Sequence, residues 1–127
     1  MMPRVVEFRG MDVTTGDWVY GNLVKLGTGS HYIIPQNFIG NNVPQTLVDI
    51  ETIGQYTRME DKKEKKVFEG DIIWSVTTII KTGQKIESIE VINDIRFVDE
   101  LFQCDEFVVV GNIHEHPHLL ETEGEQS

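Results

Sequence analysis

VFEGDIIWSVTTIIKTGQKIESIEVIN, residues 67–93, decides the fold. Two runs, Asp71 to Lys81 and Lys85 to Asn93, are crowded with Ile, Val and Thr and flank a turn at Thr82-Gly83. β-Branched and aromatic residues suit a pleated, half-buried surface, and two such runs around a glycine turn form a hairpin. Within the first run Ile72, Trp74 and Val76 share one face, because successive side chains of a strand point to opposite sides. That parity places Trp74, with Phe68, in a buried core. Gly70, between Glu69 and Asp71, predicts a tight turn whose backbone a Cβ would strain, with the Asp71 carboxylate accepting backbone N–H groups.

The same texture extends in both directions. Upstream, the run around Glu7-Phe8-Arg9, the break Thr14-Thr15-Gly16-Asp17 and the run Trp18 to Leu23 form another hairpin. Gly27-Thr28-Gly29-Ser30 is the next turn, and His31-Tyr32-Ile33-Ile34 is a strand stopped by Pro35. Residues 36–45, with Gly40, Asn41, Asn42 and Pro44, are irregular. Val48, Ile50 and Thr52 alternate with Asp49, Glu51 and Ile53 in a further strand, ahead of the charged run Met59 to Lys66. Downstream, Ile95 to Phe102 and Phe107 to Ile113 are expected as strands. A single short helical turn is expected at Pro117-His118-Leu119-Leu120, since proline suits a first helical position. The expected architecture is mostly β, with antiparallel hairpins forming small barrel or sandwich elements and little helix. It is read as one domain over 1–127, or as two β lobes at about 1–46 and 47–120, with a frayed acidic tail at 121–127.

Composition narrows the function classes. The chain has 127 residues, with 11 Lys+Arg against 21 Asp+Glu, a formal net charge of −10. Such a balance works against binding phosphate backbones, so nucleic acid is not an expected partner. No apolar stretch approaches the roughly 20 residues of a membrane helix. The opening MMPRVVEFRG lacks the charged-then-apolar layout of a signal peptide, so a cytoplasmic protein is expected. One cysteine, Cys104, cannot build an intramolecular disulfide.

Three stretches together resemble the YopX family. GQYTRMEDKKEKKVFEGDII, residues 54–73, is similar to a signature in which a Tyr-Thr pair leads through a charged turn to an aromatic-Glu-Gly-Asp-Ile stretch. VVGNIHEHPHLL, residues 109–120, resembles that family's ending, in which Val-x-Gly-Asn-Ile precedes a Glu, a Pro and two Leu. The hairpin around Glu7-Phe8-Arg9 and Asp12 resembles its opening. The family commonly has an Asn-Gly-like turn in the charged segment, where this chain has Lys63-Glu64-Lys65. The resemblance implies a small bacteriophage or prophage protein, mostly β, with no established enzymatic activity and no catalytic residues to carry over.

The residues offer several chemical readings. His114-Glu115-His116-Pro117-His118 satisfies H-E-x-x-H, with His114 and His118 as zinc ligands and Glu115 as base, but that chemistry needs both histidines on one continuous helix. Pro117 opposes such a helix at His116 and removes a donor, and Val108-Val109-Val110-Gly111 before it is strand-like. The three imidazoles, two residues apart, could gather adventitious metal if the segment is extended. Glu69 and Asp71 are read as turn chemistry in preference to an acid/base or metal pair. Gly27-Thr28-Gly29-Ser30 lacks the lysine and helix of a phosphate loop and is read as a hairpin turn. Trp18, Tyr20, Tyr32 and Trp74 could stack single-stranded nucleic acid only beside a positive groove, and core packing is the stronger reading for most of them. No catalytic, cofactor-binding or metal residue is therefore assigned, and no cofactor is expected. The expected function is a non-enzymatic phage or prophage accessory protein, an interaction module that forms a homo-oligomer or binds a host or phage protein. An acidic mimic of nucleic acid that occupies a host DNA-binding protein is the alternative, and a metal-dependent hydrolase ranks last.

Overall fold

A computed structural model describes residues 6–36 and 44–120; the irregular segment read over residues 36–45 falls mostly outside them, and the acidic tail wholly so. The chain is mostly β and antiparallel. It divides into two compact units, residues 1–56 and 57–127.

In the first unit, β1 (Phe8–Asp12), β2 (Trp18–Lys25), β3 (His31–Ile34) and the start of β4 (Thr46–Glu60) form a ring. β1 pairs with β2, β2 with β3, β3 with β4, and β4 back with β1, every pairing antiparallel. The ring is partly closed, each of these strands being paired on both sides over some of its length, which leaves less exposed edge than an open sheet would carry. Ile33 and Val48 are its most buried apolar side chains. The ring is tight because Gly21, at φ 155°, lies against the β3 end. A Cβ there would sit 2.0 Å from the Ile34 carbonyl oxygen. The expected turns form: the Asp12 carboxylate accepts the Thr14 N–H at 2.8 Å, and Leu26 closes residues 27–30 by donating to the Ser30 carbonyl at 2.9 Å. Gly27-Thr28-Gly29-Ser30 is thus the β2–β3 hairpin turn.

In the second unit, the end of β4 lies beside β5 (Lys66–Phe68), and β6 (Asp71–Thr78) is the centre of a sheet ordered β7-β6-β8. β7 spans Lys85–Val91 and β8 spans Glu106–Asn112. A central strand is covered on both sides, and Ile72, Ile73, Ser75 and Val76 are all buried. Val67, Ile73, Ile92, Leu101 and Val109 form the core, with Met59 and Phe107 packed against it. Phe68 is buried as expected, but Trp74 is only half-buried. Trp74 does share a face with Ile72 and Val76, yet the side chain joining the core cluster is Ile73, from the opposite face.

One strand expectation fails. Residues Ile95–Gln103 form a 3-10 helix, not a strand. Its N-cap Asp94 accepts the Arg96 N–H at 2.8 Å, the kind of start that Asp favours. The Arg96 guanidinium, hydrogen-bonded to the same carboxylate, holds Asp94 below the usual carboxylate range. Ile95, Val98 and Leu101 recur every three residues, which is the 3-10 period. β6 also stops at Thr78, before Lys81. The expected turn at the C-terminus is present: Leu119 and Leu120 donate to the carbonyls of His116 and Pro117. Among the described residues no helix is long and apolar enough to cross a membrane.

Candidate functional site

The polar groups of the second unit are organised by three anchors. The first is Asp61, which is buried at the start of the charged turn. Its Oδ1 accepts the N–H groups of Lys63 and Lys65 at 2.8 and 2.9 Å, and its Oδ2 accepts the N–H of Val109 in β8 at 2.9 Å. Burial pushes the carboxyl up, but the N–H groups of Val109, Lys65 and Lys63 and the Lys65 charge outweigh it and hold Asp61 below its ordinary value. Glu64, where an Asn-Gly-like turn would place its glycine, takes the left-handed conformation itself at φ 66°.

The second anchor is Glu69-Gly70-Asp71. Asp71 Oδ2 accepts the Phe68 N–H at 2.8 Å, closing the turn. Gly70 has φ 93°. Its N–H donates to the Ile92 carbonyl at 2.7 Å and its carbonyl accepts from Ile113 at 2.9 Å. Glu69 Oε2 accepts the Ile95 N–H at 3.1 Å, at the start of the 3-10 helix. The two carboxylates thus accept from different segments of backbone.

Asn112, buried at the end of β8, is the third. Its Oδ1 accepts the N–H groups of His114 and Glu115 at 3.0 and 2.9 Å, and its Nδ2 donates to Glu115 Oε1 at 2.9 Å. The Asn112 N–H donates to His116 Nδ1 at 3.2 Å. The His116 ring packs over Gly111, where a Cβ would stand 2.7 Å from Nδ1.

Beside these anchors lies a cleft of about 420 Å³ on the β7 side of the sheet. Ile73, Ser75, Leu101 and Leu120 are among its lining, as are Glu90 and Glu100, both exposed. Ser75 and Ser88 share a hydroxyl hydrogen bond of 3.0 Å. β7 is the outer strand of its sheet, and among the described residues no strand covers its far side.

The profile of the family described as YopX protein matches residues 7–121. The chain belongs to the YopX family. No curated protein matches it. It is similar in structure to protein EF1440 from Enterococcus faecalis, at 19% identity over 91% of this chain and 98% of that one, with a TM-score of 0.48.

The YopX-like signature residues can now be placed. The Thr57 hydroxyl of the Tyr-Thr pair donates to the Val67 carbonyl at 2.8 Å and accepts the Met59 N–H at 3.2 Å. Thr57, Glu69, Gly70, Asp71 and Asn112 each bond to backbone groups, and Asn112 also donates to the Glu115 carboxylate. His114 and Glu115 lie in a turn, and helical backbone begins only at His118, so the H-E-x-x-H letters do not share a helix. The His116 and His118 rings meet edge to face, 6.1 Å apart. Among the described residues no group of three or more His, Cys, Asp or Glu side chains is placed to hold a metal ion. Cys104 is half-exposed, with its Sγ 3.6 Å from the Glu100 carbonyl.

The four aromatic residues depart from the core reading. Tyr20 is exposed, while Trp18, Tyr32 and Trp74 are half-buried. Trp18 lies 4.4 Å under the guanidinium of the buried Arg9. Pairing of Arg9 with Tyr20 and of Met11 with Trp18 puts these side chains on one face of the β1–β2 ladder. Sequence reading missed the cleft because its wall is the segment read as a strand. The Asn93-Asp94 step before a three-residue apolar period was the available signal.

Proposed function

We propose that this YopX-family chain is a phage or prophage accessory protein that works by binding another protein and not by catalysis. The observation that carries the reading is the use of the signature's polar groups. Asp61, Asp71 and Asn112 are buried and hold backbone N–H groups, so the residues most characteristic of the sequence build the scaffold. What the second unit offers outward is a strand edge and a cleft of mixed polar and apolar lining, features that suit protein recognition. The site is thereby formed by the fold and not by a reactive group.

The test is affinity capture of the full chain from lysogenic or infected host cells, washed at low and high salt. A single protein retained in stoichiometric amount at high salt is the expected result. Retention of basic DNA-binding proteins that vanishes with salt would favour the acidic-mimic reading. Turnover of a phosphodiester or peptide substrate by the pure chain would overturn the proposal.

A further inference from the structure

The cleft and the β7 edge share one wall, and their chemistry narrows the occupant. In an antiparallel pair, alternate residues direct their N–H and C=O toward the neighbouring strand. The Gln84 carbonyl accepts from Ile79 at 2.8 Å, and the Ile92 N–H donates to Asp71 at 2.9 Å. Even-numbered residues of β7 thus face β6, and the N–H and C=O groups of Lys85, Glu87, Ile89 and Val91 face outward. Side chains follow the same alternation. Ile73 and Ser75 pair with Glu90 and Ser88, so the cleft side of β7 carries Ile86, Ser88 and Glu90. A side chain entering from the edge passes the exposed Glu90 of β7, and deeper lie the buried Ile73 and Leu101, with Leu120 and the exposed Glu100 also lining the cleft. A long aliphatic stem packed over the apolar residues, with its cation held at the exposed carboxylates, suits that lining, which is how Lys and Arg bury carbon while keeping the charge hydrated.

Resting on the interaction reading above, the geometry points to an extended basic segment of a partner protein that adds to β7 as an antiparallel strand and places a Lys or Arg side chain in the cleft. Backbone pairing supplies affinity, and the carboxylates select cationic over acidic strands. The docking segment is thus opposite in sign to this chain, whose formal charge is −10.

The probe is a capped peptide of about eight residues alternating Lys and Val, titrated into the isotope-labelled full chain. Expected are amide shifts and slowed exchange at Lys85, Glu87, Ile89 and Val91, and no response to the matching Glu-Val peptide. Glu87→Pro removes one outward N–H and leaves the β6 ladder intact, since proline is tolerated on edge strands. It should abolish the shifts. Glu90→Gln with Glu100→Gln, both at exposed positions, should weaken binding about tenfold without lowering the melting temperature. Shifts scattered over the acidic surface and insensitive to both variants would overturn the proposal. So would a dimer of the free chain that Glu87→Pro dissociates, because a second copy would then hold the edge. If the variants lose the peptide but still capture the cellular partner at high salt, this inference falls while the interaction reading stands.

Discussion

Glu64 holds φ 66°, a conformation in which the Cβ of an L-residue crowds its own carbonyl at a cost of about 1–2 kcal/mol. Glu64→Asn or Glu64→Gly should therefore stabilise the chain by about 0.5–1 kcal/mol, read as a shift in the denaturant midpoint with an unchanged slope. Gly70 shows the opposite case. At φ 93° its N–H and carbonyl both serve neighbouring segments, so Gly70→Ala should cost about 1 kcal/mol or more. A neutral Gly70→Ala would show that the turn relaxes freely. Burial sets a third comparison. Phe68→Ala should cost about 3–5 kcal/mol, and Trp74→Ala clearly less, because Phe68 is buried and Trp74 is half-exposed. Equal losses in chemical denaturation would place Trp74 in the core after all. Turn residues were legible in sequence because Gly, Asp and their neighbours act locally. The exposure of Trp74 was not, since strand parity says which side chains share a face and not how well that face is covered.

At the scale of elements, Asp61 ties the β4–β5 turn to β8 by gathering N–H groups from Lys63, Lys65 and Val109. Removing the carboxylate leaves the Val109 donor buried, so Asp61→Ala should destabilise by about 2–4 kcal/mol. Its depressed pKa fixes the sign of the pH effect. The unfolded chain binds this proton more readily, so the contribution is full above the unfolded pKa of about 4 and is lost as pH falls through the lower folded value. Between pH 5 and 2, wild type should lose stability more steeply than Asp61→Asn; parallel curves would remove Asp61 from that role. No sequence pattern announced this tie. Asp61 stands among seven charged residues in the run 60–66, and its partner Val109 is remote in sequence. The same distance explains the 3-10 helix. Ile95 to Phe102 is rich in residues that suit strands, yet the Asp94 cap and the Glu69 contact, from 26 residues away, settle the backbone locally. Hairpins joined by short turns were readable, whereas contacts between distant segments were not. The cleft depends on such contacts and so escaped the sequence reading.

At the scale of the whole molecule, the formal charge of −10 opposes the compact state through self-repulsion, while a sequence pI near 4.7 marks where that repulsion vanishes. The two units divide between Tyr56 and Thr57 inside β4, whereas the break in sequence pattern lies near residue 46, where that strand begins. A strand that serves two units carries no turn at its division, so charge and not punctuation is the property that spans the chain. Two effects then compete as pH falls from 8. Uptake of protons lowers the net negative charge, which relieves repulsion and raises stability, and loss of the Asp61 contribution lowers it only below about pH 4–5. The melting temperature at low salt should therefore peak near pH 5–6, above its value at pH 8. Raising salt to about 0.5 M should flatten the neutral side of the curve by screening exposed charges, yet leave the acid limb in place because buried Asp61 is screened less. A melting temperature that falls steadily from pH 8 to pH 5 at low salt would mean that paired carboxylates throughout the chain, and not net repulsion, set its stability.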